Sequence, residues 1–398
     1  MDCICCSNYC NYYDNKIYNI INLINLVLHV NNIINLKIKM IIMNDKVNIM
    51  NKLSKKFNYN NINFNILNSN VKLLLDYYYE LKNILNNTQI EYTVYPCDKN
   101  EIINIIKKFE IYKYIYIKNF VNNCKIYIKL IYKNITFYYI SQDNYDKDLE
   151  LIKRLFRITV IMSIFSKNDK DIVVVWIPVD KKRNFDYQYI DKDNLKETED
   201  NFEAFVASGV TYENTTIISR YEEIEKLLLH ELIHNLNLDG SDYHSYLRDI
   251  IKDYNTNNNY KYEYSIYESY TELLSSYLNI LFSLINDEQT NIEERIKARV
   301  IIEYIYSCNV LANLLSINKY QSYQEFIDND EYFKGNICTY EYYYLKCLMY
   351  NNFKLLKLLT KEDFKQNLIN IMEMDRTNRD INLSNYIKDT NYRYIYFA

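Results

Sequence analysis

Residues 230–234 read His-Glu-Leu-Ile-His, and no other stretch limits the fold of this chain as strongly. Four steps along an α-helix turn through about 400°, just over a full circle, so His230 and His234 share a face, while Glu231 sits about 100° round from His230. Two imidazoles on one face can hold a metal ion, and the neighbouring carboxylate can then take a proton from water. The chain has only four histidines. At its own His and Glu frequencies the arrangement should arise by chance roughly 0.003 times in a chain of this length. The bland alternative is a metal-free histidine pair closing an amphipathic helix, with Glu231 turned to solvent.

The flanking residues supply the elements such a motif needs. TTIISR at 215–220 predicts a short strand, and EEIEKLLLHELIHNLNL from Glu222 predicts the amphipathic helix that carries the motif, with Asp239 and Gly240 forming the turn that ends it. Upstream, DIVVVWIPV at 171–179 predicts a strongly apolar strand with Pro178 at its end, and the periodicity between Lys147 and Ser166 predicts a helix packed on a sheet. The charged stretch VDKKRNFDYQYIDKDNLKETEDN is expected to be a surface excursion. In the first 140 residues, LNSNVKLLLDYYYELKNIL at 67–85 predicts a helix, whereas the alternating runs IYKYIYIKNF and CKIYIKLIYKNITFYYI predict strands. Beyond residue 285, helices are expected at 292–316, 321–329, 339–359 and 361–373. The fold class is therefore α+β, with a mixed sheet and a motif-bearing helix followed by a mostly helical C-terminal region. The expected division is an N-terminal mixed α/β region at 1–140, a catalytic core at 141–285 and a helical region at 286–398.

Catalytic zinc takes three protein donors and leaves a position for water, so the histidine pair needs another ligand. Glu268 is the first candidate. On the helix predicted across 262–285, Glu268 and Glu272 are four residues apart and share a face. One can bind the metal while the other accepts a hydrogen bond from a ligating imidazole. Glu272 in the ligand role, His244 and Asp239 are alternatives, and carboxylates at this spacing are also common on plainly solvated helix faces. A third histidine at metzincin spacing would fall at position 240, which is Gly240. In the connection between the two helices, Tyr262 and His244, with Tyr243 and Tyr260 behind them, are candidates to stabilise a developing oxyanion. TTIISR is the candidate edge strand for an extended peptide.

The segment IISRYEEIEKLLLHELIHNLNLDG followed by YESYTELLSSYLN resembles the gluzincin metallopeptidases, and more narrowly uncharacterised HExxH proteins of large DNA viruses. The resemblance covers about residues 145–285. It implies a zincin-like fold and zinc-dependent hydrolysis of peptide bonds, endopeptidase rather than exopeptidase, on a peptide or protein substrate. Carried over, His230, His234 and Glu268 are the ligands of one Zn²⁺, Glu231 is the base, and Glu272 is the carboxylate behind an imidazole. Two features depart from the pattern. Tyr267 stands where gluzincins usually have Asn, and the 33 residues between His234 and Glu268 exceed the connection of thermolysin-like members. The competing reading is an inactive zincin-like interaction protein that keeps a structural metal.

Composition excludes other classes. A hydrophobic fraction of 49% with only three Gly and two Pro excludes disordered and collagen-like scaffolds. A formal net charge of -4 gives no general reason to bind nucleic acid. Nine cysteines, an odd number at irregular spacing, suit a reduced, intracellular protein better than a disulfide scaffold. Cys3, Cys5, Cys6 and Cys10 lack the second pair of a structural zinc site. No secretory signal is expected, and the apolar run from Ile21 to Met43 is too interrupted by Asn, Lys and His29 to span a membrane. If the chain is viral, host cytoplasm is the expected location, with the N-terminal region available to a host or viral protein partner.

Overall fold

Runs of Val, Ile, Phe and Tyr, buried almost continuously in the central strands, build the sheet that positions everything else. The computed structural model describes residues 63–179, 209–239, 266–286 and 291–317, apart from isolated positions within them, together with scattered residues at 246, 249 and within 346–369. The strands are β1 (Thr93–Pro96), β2 (Ile126–Tyr132), β3 (Ile135–Ser141), β4 (Ile172–Ile177), β5 (Gly209–Tyr212) and β6 (Thr215–Ser219). They lie in the order β1-β2-β3-β4-β6-β5. Pairing is antiparallel for β1/β2, β2/β3 and β5/β6 and parallel for β3/β4 and β4/β6. The sheet is therefore mixed, and it draws strands from both sides of position 140.

The described helices are α1 (Phe64–Asn87), α2 (Lys99–Ile106), α3 (Ile115–Asn123), α4 (Leu149–Phe165), α5 (Ile224–Asn235), α6 (Ile266–Leu284) and α7 (Ile292–Ile317). Residues of α1, α4, α5, α6 and α7 pack with Phe137, Tyr139, Val174, Trp176 and Ile218 on one face of the sheet. On the other face, Ile102, Ile106, Ile117 and Val121 from α2 and α3 meet Tyr138, Ile140, Val175, Ile177 and Ile217. Central strands buried on both faces need apolar residues at every position, which is why β4 reads Ile-Val-Val-Val-Trp-Ile. The α4 crossover links parallel β3 and β4, as such a pair requires.

Several expectations meet the structure directly. Strands at 172–177 and 215–219 and helices over 64–87, 149–165, 224–235, 266–284 and 292–317 stand where the sequence places them. IYKYIYIKNF is not a strand: a 3-10 turn at Glu110–Lys113 leads into helix α3. Its Ile/Tyr alternation masks a four-residue spacing, with Ile117 and Val121 both fully buried. TTIISR, expected at the edge, is interior, because β6 is flanked by β4 and β5. The sheet edge beside it belongs to β5, whose outer side has no strand partner among the described residues. Helices expected at 321–329 and the excursion after Val179 lie outside the described residues, as do the Cys3 cluster and His29. Within the described residues no helix is long and apolar enough to cross a membrane.

Candidate metal centre

Helix α5 is held by the apolar side of its own sequence. Leu228, Leu229, Leu232 and Ile233 are completely buried, each contributing about 1.5–3 kcal/mol relative to exposure. Lys226, His230 and His234, at four-residue intervals, then form the stripe that faces α6. The helix ends one turn before the Asp-Gly pair. Asn237 adopts a left-handed conformation (φ 54°), Asn237 N–H donates to His234 O (3.0 Å) and Leu238 N–H to Ile233 O (2.9 Å). This is a Schellman closure with Asn in the place glycine usually takes. The turn folds the chain back so that Asp239, almost fully buried, lies against the helix it has just left.

Three donor atoms converge between α5 and α6. His230 Nε2 and His234 Nε2 are 3.3 Å apart, and Glu268 Oε2 is 3.5 Å from the first and 3.3 Å from the second. A four-coordinate ion with donors at about 2.0–2.1 Å separates neighbouring donor atoms by about 3.3–3.4 Å. The triangle therefore has the size such an ion needs, and its two imidazoles and one carboxylate suit a transition metal rather than Ca²⁺ or Mg²⁺. Among the described residues this is the one group of three such side chains close enough to hold a metal ion.

The outer nitrogens of both imidazoles are occupied by other carboxylates. His234 Nδ1 donates to Asp239 Oδ2 (2.6 Å), and His230 Nδ1 faces Glu272 Oε2 (3.3 Å). These contacts fix the ring orientations and turn both Nε2 atoms inward, where deprotonation would free them to ligate. Glu272 and Asp239, alternatives for the third ligand, thus lie behind the imidazoles, and Glu268 alone of the three acids lies between them. The signal for Asp239 was its place five residues after His234, but only the Schellman closure makes that spacing a contact.

The electrostatics favour a cation. Burial would lower the imidazole pKa values, but hydrogen bonds to Glu268 and Glu272, with the charge of Glu231, carry His230 up to about 9. Asp239, Glu268 and Glu231 likewise outweigh burial and carry His234 up to about 10. Burial pushes Glu268 upward, yet the two imidazoles draw it down to about 2. Burial also opposes the ionised form of Glu272, which the Lys226 and Lys346 ammoniums and His230 hold well below the usual carboxylate range. Metal-free, the cluster gathers protons, and a cation bound at the Nε2 atoms would displace them.

The Glu231 carboxylate reaches β5 while its charge still acts on His230, His234 and Glu268. Thr211 Oγ1 donates to Glu231 Oε2 (2.7 Å) and lies 3.1 Å from the Glu231 carbonyl. Burial holds the Glu231 carboxyl above its ordinary pKa against the pull of the imidazoles and of Thr211. Gly209 is the closest approach: a Cβ there would stand 2.5 Å from Glu231 Oε1 and 2.7 Å from its Cγ. In a chain with three glycines, one is placed where the buried carboxylate leaves no room for a side chain. Neither Gly209 nor Thr211 carries a motif in the sequence; the scarcity of glycine is the one signal that marks the first. Tyr262 and His244 lie outside the described residues.

A His-x-x-x-His pair completed by a distal Glu is an arrangement consistent with a zincin-like metal site. The chain is 27% identical over 208 residues to an uncharacterised protein of Acanthamoeba polyphaga mimivirus. The match covers 48% of this chain and 52% of that relative, so the chain spans about half the length of the curated relative it matches. No family model matches the chain, and no solved structure matches it.

Proposed function

We propose that the chain is a zinc metallopeptidase of gluzincin type, with His230, His234 and Glu268 as ligands and Glu231 as general base. The supporting observation is the donor triangle of 3.3, 3.3 and 3.5 Å with a buried carboxylate one residue from the first ligand. A zinc ion held there supplies Lewis acidity toward a substrate carbonyl and makes water easier to deprotonate. Glu231, its pKa raised by burial, takes a proton from the attacking water and returns it to the departing amine. Asp239 and Glu272 keep the imidazoles in the ligating tautomer. Tyr262 and His244, from the connection between α5 and α6, are proposed as donors to the developing oxyanion.

The side of β5 that has no strand partner among the described residues suits an extended peptide, which would add a strand next to the base. This favours internal segments of a peptide or protein substrate, hence endopeptidase action. The viral relative supports a viral origin, with host cytoplasm as the site of action. The reading is tested by metal analysis and unbiased peptide cleavage on the wild type and Glu231→Gln. The expected result is close to one zinc per chain in both and cleavage in the wild type alone; undiminished cleavage by Glu231→Gln would remove the proposed base.

A further inference from the structure

Behind His230 lies a buried ionic cluster that metal ligation and base catalysis do not use. Glu272 divides its oxygens. Oε2 faces His230 Nδ1, while Oε1 pairs with the ammoniums of Lys226 and Lys346. Lys346 is 1% exposed and Lys226 6%. An ammonium has three donor hydrogens, and Lys346 has an acceptor for each: Glu272 Oε1 (3.3 Å), Ser276 Oγ (2.8 Å) and Glu303 Oε1 (3.1 Å). Ser276 Oγ in turn lies 3.0 Å from the Glu272 carbonyl and 3.3 Å from Glu303 Oε1. Two ammoniums thus meet two carboxylates, Glu272 from α6 and Glu303 from α7.

Burying such a cluster is an expensive way to gain stability, because desolvation offsets most of the attraction and an apolar replacement is often as stable. Its geometry is better suited to fixing an orientation. With both lysines on Oε1, rotation of the Glu272 carboxylate is blocked and Oε2 is left for the imidazole. Lys226 comes from the motif helix itself and Lys346 from 112 residues beyond His234, so the C-terminal region reaches the back of the metal site.

We propose that Lys226, Lys346 and Glu303 are positioning residues, an ion-paired brace that fixes Glu272 against His230 and so sets how tightly the site holds its metal. The proposal rests on the metal-site reading above. Partners behind a ligating histidine typically change metal affinity by about 10–100-fold when removed. Glu272→Gln is expected near the upper end of that range, and Lys346→Met near tenfold.

The test is zinc affinity of the full chain by competition with a chromophoric chelator, in a mutant cycle of Lys346→Met, Glu272→Gln and both together. Thermal melts of the metal-free proteins run alongside. The brace acts through Glu272, so the expected result is that Lys346→Met weakens zinc about tenfold in the wild type and not further in the Glu272→Gln background. A tenfold loss in both backgrounds, or lower melting temperature with unchanged zinc affinity, overturns the proposal. Should Lys346→Met fail to fold, Lys346→Met/Glu303→Gln removes one charge of each sign and enters the same cycle. A wild-type chain that binds no zinc would instead defeat the metal-site reading on which the brace depends.

Discussion

Replacing Gly209 by Ala separates the base from the metal more cleanly than any change at the motif itself. The added Cβ would sit 2.5 Å from Glu231 Oε1, 2.7 Å from Cγ and 2.8 Å from Cδ, where ordinary contact begins at 3.4 Å. The carboxylate must therefore withdraw by about 0.9 Å, the difference between 3.4 and 2.5 Å. Glu231 is 6% exposed and bonded to Thr211, so it cannot make that move without loss. A misplacement of about 1 Å at a reacting group costs on the order of a hundredfold in rate, equivalent to ~2.7 kcal/mol of activation free energy. Overpacking lowers stability by about 1–3 kcal/mol. The three nearest atoms all belong to Glu231, so zinc affinity should stay within about twofold. The assay pairs zinc titration with single-turnover cleavage of a peptide selected from a library by the wild type. Wild-type turnover in Gly209→Ala would refute the assigned position of the base. Parallel loss of zinc and turnover would show that strand and metal site move together.

Two further outcomes follow from the same geometry. Thr211→Val removes the hydroxyl that holds Glu231 Oε2, and is expected to lower kcat about tenfold or more with little change in KM, since hydrogen bonds to charged groups contribute about 1.5–3 kcal/mol; Thr211→Ser should restore most of it, and equal loss in both variants would point to packing instead. In the metal-free protein, His230 and His234 have pKa values raised from 6.5 to about 9 and about 10, so their stabilisation is complete below pH 6.5 and is lost as pH rises through those values. Glu268, lowered from 4.5 to about 2, contributes above pH 4.5 and loses its contribution as pH falls toward 2. The melting temperature of the metal-free chain should therefore fall on both sides of the window between those two reference values. Zinc loading should remove the alkaline decline, and a metal-free melting temperature constant from pH 6.5 to 10 would contradict the assigned pairing.

The legible parts of this fold are those written in rare residues or in one dominant period. HELIH stands out because histidine is scarce, and β4 because a strand buried on both faces cannot hide its apolar run. Helix α3 was masked because Ile and Tyr fall on alternate positions as well as on the buried Ile117/Val121 face. Strand β5 has four residues, GVTY, too short for a period to show, so the edge role went to TTIISR. Glu268 and Glu272 were found as a pair by helical spacing. Their division of labour depends on which oxygen meets which nitrogen, and local spacing does not encode that. Asp239 needed the left-handed Asn237, and Lys346 needed tertiary packing across more than a hundred residues of chain.

The central claim is a metal bound by His230, His234 and Glu268, and X-ray absorption at the zinc edge of the purified chain tests it most directly. The account predicts one zinc per chain with two imidazole nitrogens and carboxylate or water oxygens at about 2.0–2.2 Å, and loss of that signature in Glu268→Ala. Sulfur at about 2.3 Å, or an unchanged spectrum in Glu268→Ala, would place the metal elsewhere and contradict it.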